Sequence, residues 1–394
     1  MGQIAVIGAG IAGLATAVAL QRRGHIVTVI EERTDTASGA GISIWPNALA
    51  ALDQIGLGNE VRAAGGQVTA GALRRRDGAW LRHTSAQVLV TALGEPLVVV
   101  RRSALTGILA DALAPGTVQC GLAVTELADT AVGVRIQLSD STTRDVAAVI
   151  GADGTHSVVA RHLNGTLPDR YAGYTSWRGV ATFAMDAHLA GETLGAGVEV
   201  GHVPLGPDRT YWFATERAPE GRTMPEGELA YLRTKFARWA NPIPAILAAT
   251  DPDDVLHHDL YDRAPARCWA RGPVVLVGDA AHPMRPHLGQ GGCQGLEDAA
   301  ILASLVDDAG VADQPDDLAT SFARFEAFRR PRVTRLVRES ELIGKVMNMR
   351  PAFLSAAAAG ATVLVPEALL TRHLTRVGAR SAFRLPTHRD AQRV

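Results

Sequence analysis

Gly8, Gly10 and Gly13 stand in the run Gly8-Ala9-Gly10-Ile11-Ala12-Gly13, directly after the apolar stretch Gln3 to Ile7. Where a strand turns into a helix, the first glycine of such a run permits the tight turn, the second lets backbone approach a pyrophosphate, and the third lets the helix pack close to the sheet. Ile11 and Ala12 then open the helix, whose free N–H groups and dipole favour two negative phosphates. Gly24 ends that helix, and a second apolar run, Ile26 to Ile30, closes on Glu31, Glu32 and Arg33. An acid at that distance accepts from ribose hydroxyls, so Glu31 is the expected ribose ligand, with Glu32 and Arg33 beside it.

Two more segments carry chemistry of the same kind. Gly151-Ala152-Asp153-Gly154-Thr155-His156-Ser157 follows the apolar run Ala147 to Ile150 and leads towards Arg161. Val274 to Val277 delivers Gly278-Asp279-Ala280-Ala281-His282-Pro283 to the carboxyl end of a strand, the edge where doubly wound sheets hold ligands, and Asp279 there can accept from a sugar-like chain. Pro286 to Gly292, with Gly289, Gly291 and Gly292, forms a glycine-rich turn opening a helix near Gln294, and its N–H groups make an anion-stabilising cradle. Together the three segments ask for one extended ligand, a dinucleotide of the FAD type. Asp77-Gly78, by contrast, sits between alternating residues and reads as a hairpin turn.

The elements that must position these residues follow from periodicity. Strand, helix and strand over the first 33 residues begin a parallel sheet, to which Val118 to Gly151 and Val274 to Val277 return. A helix is expected from Pro46 through Leu52, and another, started by a Ser cap, from Ser103 to Leu113. Alternating strands fill Gln67 to Val100, Tyr171 to Phe183 and Val198 to Thr215, followed by a helix over Glu226 to Trp239 and, late in the chain, an Arg-rich helix from Leu318 to Val346. The expected fold is α/β: a discontinuous Rossmann-type domain (1–66, 101–168 and 270–318), an inserted, mostly antiparallel β domain (67–100 and 169–269), and a C-terminal helical region (319–394).

Composition narrows the partners. A formal charge of −1 over 394 residues offers no basic field for nucleic acid or an anionic membrane. Cys120, Cys268 and Cys293 have neither metal-ligand nor redox-pair spacing, which implies reduced thiols and a cytoplasmic protein. No GxSxG elbow and no His/Asp/Glu metal spacing appear.

The segments GAGIAG, GADGTHSVVAR and GDAAHP followed by PHLGQGG resemble the single-component FAD-dependent aromatic hydroxylases, the para-hydroxybenzoate hydroxylase-like family, over Gln3 to about Val337. The stretches from Gly39 to Asn47, from Arg170 to Gly179 and from Gly289 to Cys293 are most similar to its urate hydroxylase and zeaxanthin epoxidase branch. That resemblance implies ADP on the first segment and the adenosine ribose on Glu31. It places Arg102 at the phosphate or ribityl region, Asp279 at the ribityl chain and Val124 among the further FAD contacts. Asp153 is implied at both FAD and NAD(P)H, and Pro286, Gly289 and Gly291 against the isoalloxazine ring.

Many relatives carry Asn at Cys293. Tyr211 matches a tyrosine lining the urate site, but the arginine expected five residues before Pro204 is here Glu199, which argues against urate itself. Alternation sets Tyr211 and Phe213 on one strand face and Trp212 on the other. Tyr211 and Phe213 are the expected substrate contacts, with Trp45, Trp177, Arg178, Glu199 and His202 as further candidates; Pro286, Tyr211 and Gly289 are the expected catalytic set.

The function expected from the resemblance is a monooxygenase in which transiently bound NADH or NADPH reduces FAD, O2 is captured as a C4a-hydroperoxyflavin, and one oxygen atom enters an electron-rich aromatic or heteroaromatic small molecule. The enzyme is expected to be a monomer or homodimer. The alternative readings are an epoxidase of an isoprenoid or polyketide alkene and a plain NAD-dependent dehydrogenase.

Overall fold

Short Val- and Ile-rich runs between glycine turns suit strands buried on both faces, and they build a six-stranded sheet in the computed structural model, which describes residues 2–34, 40–308, 315–387 and 390. Its order is Ala270–Arg271, Val274–Leu276, Ala148–Gly151, Ile4–Ile7, Val27–Glu31 and Val118–Cys120, parallel except for the first pair. The helix Ile11–Gln21 lies against this sheet and against the helix Gly291–Asp308, in a core that includes Val6, Leu14, Val18, Val149 and Leu302. An antiparallel meander, Val124–Thr130, Gly133–Leu138 and Thr143–Val146, connects the outer strand back to the centre.

A seven-stranded sheet forms the second half. It runs Leu256–Arg263, Asp169–Ala181, Thr210–Glu216, Val198–Pro204, Gly191–Gly195, Gly71–Arg75 and Trp80–Thr84, antiparallel except where Gly191–Gly195 pairs parallel with Gly71–Arg75. One face buries Trp177, Trp212, Val200 and Ala214 under the helices Glu228–Phe236 and Ile243–Ala248. The other face, carrying Val180, Tyr211 and Phe213, turns towards Ala40, Val68 and Val99. Gly39 lies outside the described residues.

Two expectations for 67–100 need correction. Gly66–Val68 and Leu97–Arg101 pair with Gly41–Ile44 in a separate three-stranded sheet, so only the Gly71–Thr84 hairpin joins the broad sheet. Ala86–Leu93 is a helix rather than a strand. Its Val-Leu-Val-Thr run reads as β by propensity, but Ser85 caps it by accepting from Val88 N–H at 3.3 Å, and Gly94 closes it in the left-handed region. The helix expected from Ser103 starts at Arg102, with Arg101 rather than a serine at its cap. Among the described residues no single helix is long and apolar enough to cross a membrane.

The long helix Pro315–Met347 locks onto Gly291–Asp308 through Arg329, a fully buried cation bonded to Glu297 at 2.6 Å and to Asp298 at 2.7 Å. Asp298 also accepts from His282 at 2.6 Å and from Gly278 N–H at 2.9 Å. Burial alone would raise the Asp298 carboxyl, but His282 and Arg329 hold it down to about 2 from an ordinary 3.8. A depressed carboxyl contributes stability above its unfolded value and loses it as pH falls towards the folded one, so this contribution fades between pH 3.8 and about 2.

Arg329→Met removes the one cation shared by two buried carboxylates, leaving Glu297 with Arg332 and Asp298 with His282, and is expected to cost ~3 kcal/mol or more in denaturant unfolding. Arg330→Met, which removes an exposed pair to Glu326 one turn away, should cost under ~0.5 kcal/mol. Equal losses for the two would contradict this account.

Candidate active site

The turn after Ile4–Ile7 brings three backbones to one point. Gly8 adopts φ +100°, and a Cβ there would sit 2.6 Å from the Ala152 carbonyl oxygen; a Cβ on Gly13 would sit 2.0 Å from the Gly8 carbonyl oxygen. Gly278 is equally tight, its Cβ position lying 2.8 Å from Ala12 Cβ. The first, middle and last glycine motifs therefore meet around the N-terminus of Ile11–Gln21. That terminus has no side-chain cap, and open space faces Gly10. A cavity of about 400 Å³ starts there, lined by Gly8, Gly10, Glu31, Glu32, Val124, Asp153 and Arg161 among others.

Within the cavity wall Glu31 accepts from Ala9 N–H at 2.6 Å and from Arg33 N–H at 3.0 Å, which fixes the glycine turn while leaving the carboxylate at the rim. Asp153 bonds to its own following helix, accepting from Val158 N–H at 2.7 Å and from the Ser157 hydroxyl. Burial nonetheless pushes its carboxyl above the ordinary range. Asp279 is open to solvent yet surrounded on most sides, as a group lining a cleft must be, and this desolvation raises its carboxyl against the charges of His282, Arg102 and Arg263. Arg102, exposed at the start of its helix, thus faces the same cleft as Asp279.

An uncapped helix N-terminus, space where a Cβ would go at Gly10, and an acid at the rim suit the pyrophosphate and ribose of FAD. Further along the cleft, Pro286–Leu288 is a single 3-10 turn closed by Gly289 at φ +60°, and the helix Gly291–Asp308 follows. Pro286 and Gly289 are exposed, and Gly291 and Gly292 partly so. Backbone N–H groups at the start of that helix suit an anionic edge of a flat ring.

The broad sheet meets this turn. Tyr211 packs on Gly41, where a Cβ would fall 2.5 Å from its ring; the neighbouring Ile42 packs on Gly292, and Trp45 on Gly289. Phe213 lies over Gly201 on the same face as Tyr211. Glu199, also on that face, has an oxygen 3.7 Å from His287 Nδ1 in the turn itself. Tyr211, Phe213, Glu199, Trp45, Pro286, Gly289, Gly291 and Gly292 are thus neighbours, and Arg178 belongs to the same face by register with Phe213.

Trp177 and His202 do not join them. Trp177 is fully buried on the opposite face, its Nε1 donating to Glu228 at 2.6 Å and its ring stacked on His257. His202 points the same way beside Arg74, and burial, with that cation, lowers its imidazole to about 4. Alternation separates the faces of a strand but does not say which one is inside.

Several residues that hold the site have no motif of their own. Arg263, buried at the end of the broad sheet, donates to the carbonyls of Thr155 at 2.9 Å, Asp279 at 2.9 Å and Ala280 at 2.8 Å, joining two motif loops. Asn47 donates to Gln290 at 3.0 Å and to Glu297 at 2.7 Å, bracing the turn from below. Cys293 is fully buried, and burial pushes its thiol up to about 12, so it is inert packing. A second cavity, about 420 Å³, lies near Arg329, Arg332, Arg376 and Arg384, but each of these is paired with an acid.

The family described as FAD binding domain matches residues 1–340. The chain is 34% identical over 353 residues to the aurachin C monooxygenase/isomerase of Stigmatella aurantiaca, covering 89% of this chain and 91% of that protein. It is 34% identical over 341 residues to the FAD-dependent urate hydroxylase of Klebsiella pneumoniae, covering 84% and 87%. Its fold is similar to the crystal structure of Klebsiella pneumoniae HpxO complexed with FAD and uric acid, with a TM-score of 0.88, 29% identity and coverage of 95% and 96%.

Two glycines separate folding from cofactor capture. Gly13→Ala drives a methyl into backbone and is expected to lower both the melting temperature and the flavin content. Gly10→Ala meets no protein atom within 4 Å, so the apoprotein should melt as wild type does while FAD affinity falls roughly tenfold or more, the loss of about one charge-assisted contact. Flavin absorbance per protein after gel filtration, beside apoprotein melting, checks both; full flavin retention in Gly10→Ala would refute the cradle.

Proposed function

The chain belongs to the FAD binding domain family and is a FAD-dependent monooxygenase of a small molecule, and from that premise we propose that it hydroxylates an electron-rich aromatic or heteroaromatic ring held between the Tyr211 face of the broad sheet and the Pro286–Gly292 turn. The observation that carries this reading is the contact chain from Tyr211 through Gly41 and Ile42 to Gly292, which sets the sheet face beside the turn. Bound FAD supplies the activation of O2 at the expense of NADH or NADPH. The chain's residues hold and orient. Gly8, Gly10, Ile11, Ala12 and Gly13 take the pyrophosphate, Glu31 the ribose, Arg102 and Asp279 the ribityl region, and the N–H groups after Gly289 the anionic edge of the ring.

Tyr211, Phe213, Val180, Val203 and Leu205 form an apolar wall on the substrate side, which excludes water from a reactive centre. Glu199 stands where the urate-hydroxylase branch carries an arginine, so a ring presenting a hydrogen-bond donor suits this face better than the urate anion. The same reading takes the protein as a cytoplasmic monomer or homodimer whose three cysteines are free.

The holoprotein should purify yellow, and NADH or NADPH should bleach it anaerobically, faster when the true substrate is present. A panel of phenols, purines and quinoline-type rings, followed by mass spectrometry with labelled O2, is expected to yield a product heavier by one oxygen atom taken from O2. Flavin that no member of the panel helps to bleach, or a product labelled from water, would overturn the proposal.

A further inference from the structure

The stretch from Pro351 to Pro366 contains no charged residue, yet most of it is exposed. It forms the helix Ala352–Ala361 and the 3-10 turn Thr362–Leu364, after which the chain bends by 104° into the helix Glu367–Gly378. The bend makes an outward corner: Leu364 is 82% exposed, Phe353 66% and Leu369 57%, with Leu354, Val363 and Val365 exposed between them. Single exposed apolar residues are ordinary, but six large ones along one bent segment mark an interaction surface.

The broad sheet holds this corner in place. On its inner side Ala359 packs with Leu81 and Leu194, and Ser355 accepts from Gly197 N–H at 2.9 Å. At the bend Arg82, on the edge strand Trp80–Thr84, donates to the Thr362 carbonyl at 2.9 Å and also to that of Val365. Small residues thus face the sheet, and the large ones face out. That is the reverse of an ordinary surface helix, which keeps its large apolar side chains for the core.

Charge around the corner is biased to one sign. A formal charge of −1 over the whole chain gives no long-range field, but from Arg350 to Arg376 there are three arginines against one glutamate, Glu367. Arg350 opens the segment and stands close enough to Arg217 for their charges to act on each other. Arg372 lies one turn beyond Leu369 on the same side of its helix. Among the described residues no carboxylate pairs with Arg217, Arg350 or Arg372, whereas Glu339 is taken by His373 and Arg376.

We propose that this corner docks on the surface of an anionic phospholipid bilayer, its apolar side chains entering the boundary between headgroups and acyl chains while Arg217, Arg350 and Arg372 meet the phosphates. A yielding lipid surface accepts an outward apolar corner, whereas a protein partner needs a shaped complement to it. The segment lies on the bilayer rather than across it, because no single helix among the described residues is long and apolar enough to span one. Arginines beside such a surface each add attraction that salt screens. The inference is independent of which ring the enzyme oxidises.

In the test, FAD-loaded protein is mixed with vesicles of equal parts phosphatidylcholine and phosphatidylglycerol, or of phosphatidylcholine alone, and the protein that floats with them is measured. Wild type is expected to float with the mixed vesicles, more weakly with the neutral ones, and less as salt is raised. Leu364→Glu should weaken binding to both by about tenfold or more, the loss of one buried leucine. Arg372→Gln should weaken it about fivefold on the mixed vesicles and leave the neutral ones unchanged. Both side chains are exposed, so both variants should keep the flavin content and melting temperature of wild type.

Wild type that floats with neither vesicle, wild type that floats equally with both, or Leu364→Glu that floats as wild type does would each overturn the proposal; the first two need no variant to fold. So would a dimer in vesicle-free solution that Leu364→Glu splits into monomers, since a second copy of the chain would then cover the corner.

Discussion

Everything in this molecule depends on backbone meeting backbone at the carboxyl edge of one parallel sheet. Gly8 against Ala152, Gly13 against Gly8, and Gly278 against Ala12 leave no room for side chains, and that closeness leaves the N-terminus of Ile11–Gln21 uncapped and facing a cavity. A helix end without a cap is ordinarily a defect, because its N–H groups have no partner within the helix. Here the defect is a binding feature, and the rest of the fold holds it open. Arg263 joins two of the loops through three carbonyls, and the Arg329 network holds Gly278 N–H through Asp298.

The nucleotide half was legible in the sequence because its determinants are local. A glycine that must adopt positive φ, or yield to a neighbouring backbone, has few substitutes, so Gly8, Gly13 and Gly278 stand in short runs that announce their geometry. The long-range partners were not legible. Arg263 reaches 108 residues back to Thr155, and Asn47 bonds Glu297 across 250 residues, with nothing in either neighbourhood to mark it. Ala86–Leu93 was misread because β-branched residues suggest a strand while a single serine cap and a glycine stop decide for a helix.

The substrate half shows a different limit. Period-two alternation placed Tyr211 and Phe213 together and Trp212 apart, and the register agrees. It carried no information on which face would meet the other domain, so Trp177 and His202 entered the candidate set although both point into the helix-covered core. The decisive feature is that Glu228–Phe236 and Ile243–Ala248 pack on the central strands of one face, leaving the other for the turn.

The polar groups left on that inner face explain why the second domain is a sheet and not a helical cap. Neighbouring strands, held about 5 Å apart by hydrogen bonds, set Glu192 beside Glu199 and Arg178 beside Phe213 at fixed separations, with side chains normal to the surface. Helical packing would fan such groups around an axis, and loops would not fix two acids side by side. A rigid ladder does hold them, because ladder hydrogen bonds and the apolar packing of the opposite face offset the cost of burying polar groups. The arrangement of charge on this face is therefore built into strand register, and a one-residue slip would exchange the acids and Arg178 for Trp177, His202 and Trp212.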